Sequence, residues 1–183
     1  MKRLELLAIG DCDRRVLARL APALGELFHV RCVVAPKSLD PTPFFHPERR
    51  QYHSSEILLA MLSLLHADSW RVLGITMVDL YIPILTFVFG EAHMGGPCGL
   101  VSGHRLRQEF YGLPEDEEIF ERRLLTEAVH ELGHTLQLTH CDDYRCAMAP
   151  SHGVEWMDLK LSSLCPACEA RVFMTALFGL NAK

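Results

Sequence analysis

Hydrophobic positions recur along this chain with two different periods, and each period predicts a different kind of element. Residues 3–9 form a short apolar run ending at Gly10, which reads as a strand leading into a turn. From Asp13 to about Leu24, Val16, Leu17, Leu20 and Leu24 share one helical face, and Phe28–Ala35 reads as a second strand. Pro36, Pro41, Pro43 and Pro47 then break the pattern through Gln51, an irregular connection of the length that is usually functional or mobile. Ser54 or Ser55 would cap a helix running to about His66, with Ile57, Leu58, Met61, Leu62 and Leu65 as its apolar residues. Arg71–Val78 and Leu85–Ala92 read as strands, and Gly99–Ser102 as a shorter one. Over residues 117–136 the period changes to three and four, with Phe120, Leu124, Leu125, Ala128, Val129, Leu132 and Leu136 in phase. Pro114 suits the first turn of that helix, and Glu115, Asp116, Glu117 and Glu118 put negative charge where the helix dipole favours it. A last short helix is expected near Ala167–Gly179.

Strands and helices mixed in this way, with one long helix to pack on the sheet, predict an α/β (α+β) sandwich around a mixed twisted sheet. A chain of 183 residues can bury its core as one structural unit. Within it, residues 1–140 form an N-terminal subdomain carrying the long helix, and 141–183 form a small C-terminal subdomain carrying four cysteines. No internal repeat or low-complexity segment interrupts the pattern.

Composition narrows the function classes. Hydrophobic residues make up 49% and charged residues 22%, the balance of a globular chain rather than a disordered one. The net charge of −5, with no block of basic residues, argues against a nucleic-acid or anionic-membrane partner. Glu5 interrupts an N-terminal apolar run too short for a signal peptide, and the stretch around Leu80–Phe89 is too short to span a bilayer. Seven cysteines without a secretion signal point to the reducing cytoplasm and to metal binding rather than disulfides. Cys12, Cys32 and Cys98 have no partner spacing and read as buried free thiols.

The candidate chemistry lies between His130 and Cys168. His130 and His134 are four apart on the predicted helix, one turn above each other on one face, so two imidazoles can grip one metal ion. Glu131 lies one residue round the helix, near enough to a metal-activated water to take its proton. A third protein ligand is needed. His140 is the first candidate by proximity, provided the chain leaves the helix after His134 and folds back. Glu155 is the competitor, since a downstream Glu completes the His-His-Glu type of zinc site, although its ordinary reading is a solvated loop carboxylate. Cys141 and Cys146, then Cys165 and Cys168, have close to the spacing of a closed four-thiolate zinc site. A redox Cys-x-x-Cys pair or four unrelated core thiols are the alternatives. Two close pairs within 28 residues favour the zinc, and Cys141 beside His140 would let that second metal hold the third ligand of the first.

His130, Glu131, His134, His140, Cys141, Cys146, Met148, Cys165 and Cys168 together resemble the signature of the archaemetzincins, an extended metzincin motif followed by cysteines. Asp79-Leu-Tyr-Ile-Pro, Phe87-Val-Phe-Gly-Glu-Ala and Gly95-Gly96 resemble the family upstream, so the similarity covers roughly residues 50–170. The resemblance implies a zincin-like fold, and it implies that Met148 forms a Met-turn, a hydrophobic floor under the histidines. One position departs: metzincins usually have glycine where this chain has Gln137, and that glycine supplies the positive φ that turns the chain out of the helix.

These readings combine into a zinc-dependent peptidase with two zinc ions, one catalytic and one structural. Glu131 is its general base, and a peptide or protein substrate pairs with an edge strand near Phe87–Ala92, where Gly90 permits close approach. The rival of a different class is a zinc protein that recognises peptides or partners without cleaving them, which would have no need of Glu131. A zinc-ribbon nucleic-acid binder lacks the basic face it would require.

Overall fold

The longest apolar runs form the middle of a sheet, because a strand covered on both faces has no polar side to show. The computed structural model describes residues 2–178. Its elements are β1 (Arg3–Ile9), α1 (Arg14–Leu27), β2 (Arg31–Leu39), β3 (Phe45–His46), β4 (Gln51–His53), α2 (Ser54–Leu62), β5 (Arg71–Thr76), β6 (Leu80–Tyr81), β7 (Gly90–Ala92), β8 (Cys98–Ser102), α3 (Glu117–Thr135), α4 (Val154–Met157) and α5 (Pro166–Phe178). The main sheet has the order β2-β1-β5-β8-β7, parallel except for β7, which runs antiparallel to β8 at one edge. A small second sheet, β3-β4-β6, adjoins it.

One face of the main sheet packs against α1 and α3 through Leu4, Leu6, Leu73, Ile75 and Val101. The other packs against α2 through Leu7, Ile9, Val72 and Leu100. The alternation along β1 and β5 thus serves two cores, and the expected mixed sheet packed on a long helix is the observed architecture. Among the described residues no helix is long and apolar enough to cross a membrane.

Several boundaries differ from the sequence expectations, each for a local reason. Phe28 ends α1 and His29 takes a positive φ of 52°, so the strand expected from Phe28 begins at Arg31. It continues to Leu39 because Pro36 lies on an edge strand, where a missing N–H is tolerated. The irregular connection therefore contracts to a 3-10 turn at Thr42–Phe44 and the short β3–β4 hairpin. His53, not a serine, occupies the cap position of α2, and the helix stops at Leu62 rather than His66. The serine hydroxyls instead serve β6 and β7: Ser54 Oγ donates to Tyr81 O at 3.0 Å and to Glu91, and Ser55 Oγ to Glu91 Oε1 at 2.7 Å. Pro114 and Glu115 precede α3, whose cap is Asp116, accepting from the Ile119 N–H at 2.9 Å. The helix expected at Ala167–Gly179 is α5, although Gly179 lies outside the described residues.

The largest difference is at Leu85–Ala92, where only Gly90–Ala92 is strand. Residues 82–89 form a loop tied to the strands only through Val88, which donates to Leu80 O, and Phe89, whose carbonyl accepts from Ser102, while side chains hold the carbonyls of Leu85 and Thr86. Arg49 Nη2 donates to Leu85 O at 2.8 Å and to Thr86 O at 3.1 Å, and Gln51 Nε2 donates to Thr86 O at 3.0 Å. Arg105, paired with Asp79, stacks on the Phe87 ring with its guanidinium carbon 4.3 Å from the centroid. Cys12 and Cys98 are buried free thiols as expected, whereas Cys32 is half-buried. Burial pushes Cys12 and Cys98 up to about 11 and Cys32 to about 12, which keeps all three as unreactive thiols.

Candidate metal centre and cleft

Helix α3 crosses the sheet beside β7 and β8 because two glycines leave room for it. A Cβ on Gly90 would stand 2.7 Å from Glu131 Cγ and Oε1, and one on Gly99 would stand 3.5 Å from Glu131 Cβ. The close approach at Gly90 is therefore made by Glu131 itself, which any larger residue would displace.

On this helix His130 and His134 bring their Nε2 atoms to 3.0 Å from each other. His130 Nδ1 lies 2.8 Å from Ala147 O, and His134 Nδ1 lies 2.8 Å from Leu138 O. A carbonyl can only accept, so each Nδ1 carries the proton and each Nε2 keeps a lone pair facing the other ring. His140 joins them, its ring centroid 5.3 Å from that of His130 and 5.2 Å from that of His134. One ring nitrogen from each of the three lies within 4.8 Å of the others. Burial, reinforced by His134 and Lys160, lowers His130 to about 3, and burial also lowers His134 and His140. Three neutral imidazoles with converging lone pairs fit a zinc ion. Glu155 is elsewhere, exposed in the first turn of α4 with its carboxylate beside Gly153.

The chain leaves α3 by a Schellman turn. Leu136 ends the helix, the Gln137 N–H donates to His134 O at 3.0 Å and the Leu138 N–H donates to Gly133 O at 3.0 Å. Gln137 takes a φ of 68°, the conformation for which glycine is the usual choice. The turn has a direct use, since it carries Leu138 O to His134 Nδ1. Gly95, also at φ 68°, donates its N–H to His134 O at 2.9 Å and packs against the Gln137 side chain. Replacing Gln137 by glycine should relieve the left-handed strain and stabilise the fold by about 1 kcal/mol or less, the lost packing on Gly95 setting the limit. Thermal melts would register this as a rise of roughly 2–4 °C per kcal/mol for a chain of this size. A lower Tm for Gln137→Gly would mean that the side chain outweighs the strain.

Met148 is fully buried among Leu138, Cys146 and Cys168, and a Cβ on Gly133, next to His134 in the chain, would overlap its Sδ. The segment carrying it is pinned on both sides. The Leu161 N–H donates to Arg145 O at 2.8 Å, the Ala147 N–H to Ser163 O at 3.0 Å and the Cys141 N–H to Met148 O at 3.0 Å. Those bonds bring together Cys141, Cys146, Cys165 and Cys168, whose sulfurs all lie within 4.8 Å of one another. Cys146 Sγ accepts from the Cys165 N–H at 3.3 Å and the Met148 N–H at 3.4 Å; burial raises the thiol, and these two bonds oppose the rise. Ala147 O, which accepts from His130, lies next in the chain to Cys146, so the two donor sets are joined by one peptide unit.

Sequence reasoning missed Glu127 and Lys160. Glu127 is buried one helical turn before Glu131, and burial pushes it up to about 7 while the Lys160 ammonium opposes the shift. Burial, then the neighbouring Glu127 carboxyl, holds Glu131 well above the usual carboxylate range. Glu131 Oε2 and Ser151 Oγ are buried without a hydrogen-bond partner. Lys160 is also buried, and its Nζ donates to Ala147 O at 3.3 Å and to Ala149 O. The four-residue spacing of Glu127 and Glu131 was visible in the sequence; nothing there marked Lys160 as buried.

All of this opens on a cleft of about 650 Å³, with residues 85–92 above and Pro150, Ser151 and His152 across from them. Glu127, His130, Glu131, His134 and His140 line its floor. The arrangement can hold a metal, bring a proton acceptor to it and admit an extended chain along the free edge of β7.

Comparisons with known proteins bear on the same residues. The family model described as Peptidase family M54 matches residues 42–173. An archaemetzincin of Methanocaldococcus jannaschii is 39% identical over 166 residues, covering 91% of this chain and 90% of that one. The crystal structure of archaemetzincin from Methanopyrus kandleri matches with a TM-score of 0.81 at 31% identity, covering 96% of this chain and 95% of that one. A zinc-dependent peptidase from Methanocorpusculum labreanum matches with a TM-score of 0.84 at 26% identity, covering 92% of this chain and 99% of that one.

Proposed function

The chain belongs to peptidase family M54, the archaemetzincin family, and is a zinc metallopeptidase; on that premise we propose that His130, His134 and His140 hold its catalytic zinc and that Glu131 is its general base. The observation that carries this reading is the convergence of three neutral ring nitrogens, two of them oriented by carbonyls on the far side of the ring. Zinc there supplies a Lewis acid that acidifies water and polarises the scissile carbonyl. Glu131, adjacent in the chain to His130, takes the proton of the attacking water and passes it to the leaving amine. Ala147 O and Leu138 O keep the His130 and His134 rings from rotating, and Met148, packed on Gly133, would form the floor beneath them that the family's Met-turn implies.

A peptidase acts on a peptide or protein, and the free edge of β7 supports binding of that chain as an added antiparallel strand. A second, structural zinc on Cys141, Cys146, Cys165 and Cys168 would bring the total to two per chain. Residues 1–140 and 141–183 then act as two subdomains of one unit, joined where Ala147 O accepts from His130. Seven free thiols and a thiolate donor set support a reducing, cytoplasmic setting.

The third ligand is tested by comparing two variants. His140→Ala should lose one zinc and peptidase activity while the cysteine-held zinc stays; Glu155→Ala should keep both metals and full activity. Metal analysis of the two proteins reads the result, and the reverse pattern would replace the three-histidine site with a His-His-Glu one.

A further inference from the structure

The direction in which a substrate lies follows from two contacts. Gly90 sits beside Glu131, and five residues on Gly95 donates to His134 O and packs on Gln137. The segment containing β7 therefore runs alongside α3 in the same direction. A peptide paired antiparallel to β7 enters at the His134 side and leaves past Glu131, so the residues after the scissile bond lie toward the preceding turn of α3. The side chain lining the cleft at that turn is Glu127.

Glu127 is only 5% exposed. Among the described residues no Lys, Arg or His side chain closes a salt bridge on it. Lys160 is near enough to be felt, but its Nζ donates to Ala147 O and Ala149 O. The Glu131 carboxyl shares a side-chain hydrogen bond with Glu127, and its own Oε2 is buried without a partner and left for the attacking water. Glu127 thus lines the cleft as a buried carboxyl with no cation closing a salt bridge on it, and a cationic donor would supply that partner. A substrate side chain that is long, apolar along its stem and cationic at its tip matches both the apolar upper rim and this floor.

We propose that Glu127 makes the subsite for the residue following the scissile bond selective for lysine or arginine. The inference rests on the peptidase reading and on the antiparallel seating of the substrate. Glu127 acts as a specificity-determining residue: it touches the substrate side chain and takes no part in the proton transfers assigned to Glu131.

The test uses zinc-loaded full-length protein and peptides that differ only at the residue after the cleaved bond, which is lysine, arginine, norleucine, alanine or glutamate. Norleucine keeps the lysine stem and removes its charge. Lysine and arginine peptides should exceed the norleucine peptide in kcat/KM by about tenfold or more, and Glu127→Gln should bring that ratio of lysine to norleucine close to one, whatever it does to the overall rate. In parallel, fluorescent lysine and norleucine peptides are titrated against Glu131→Gln protein with and without Glu127→Gln, which reads the preference as binding. Equal handling of lysine and norleucine by the wild type, or a preference that survives Glu127→Gln, would overturn the proposal. Absence of cleavage with Glu127-dependent lysine binding would uphold the subsite and count against the peptidase reading. Should Glu127→Gln fail to fold, the wild-type comparison of lysine with norleucine still decides.

Discussion

Glu131→Gln should lower kcat by about 10²–10⁴-fold while both metal sites keep their zinc. Glutamine retains the shape of the side chain against Gly90 and Gly99, so the helix has no reason to move. What it loses is the ability to accept and return a proton. The loss should fall on kcat rather than on KM, because Glu131 acts on the attacking water and the leaving amine and not on the bound peptide. Peptide digests of wild-type and variant protein at matched zinc content provide the measurement. A variant that cleaves as fast as the wild type would remove Glu131 from the mechanism and leave the proton transfer unassigned. A variant that also loses zinc would point instead to a structural part in seating His130.

Cys168→Ser should cost one of two zinc equivalents and destabilise the fold by more than about 4 kcal/mol, since binding free energy at such a site is folding free energy. Cys168 is 4% exposed and packs with Leu138, Cys146 and Met148. Opening the thiolate cage therefore loosens the floor under the histidines, and activity should fall even where the catalytic zinc is resupplied. Cys165→Ser should act in the same direction. Zinc analysis with thermal melts separates this from the alternative: variants that keep both metals and melt normally would make Cys165 and Cys168 a redox pair.

The parts of this protein that were legible in its sequence are those whose chemistry repeats at a local period. Helix α3 announces itself through seven in-phase apolar residues, and His130 and His134 through the spacing that stacks them on one face. The positive φ at Gln137 was also expected, because His140 must reach a metal fixed by two residues of a helix that has already ended. Leu85–Ala92 misled for the opposite reason. Its residues are apolar because they roof a cleft and pack on Arg105, and hydrophobicity alone does not separate that from a buried strand. Glu127 and Lys160 could not be placed by pattern. A charged residue is ordinarily solvated, and only the way residues 145–163 fold back over α3 buries these two. The serines before α2 had the composition of a cap, yet their hydroxyls satisfy Glu91 across a gap of 36 residues or more in the chain.

The backbone ladder between residues 145–147 and 161–163 has a consequence for a chain emerging from the ribosome. A nascent polypeptide that has exposed His140 already contains every histidine of the catalytic set. It still lacks the segment 161–163 that holds residues 145–147 in place, and with it the orientation that Ala147 O gives His130. The four thiols become available only when Cys168 has left the exit tunnel. The cutting centre therefore assembles only after residues well beyond its last histidine have emerged.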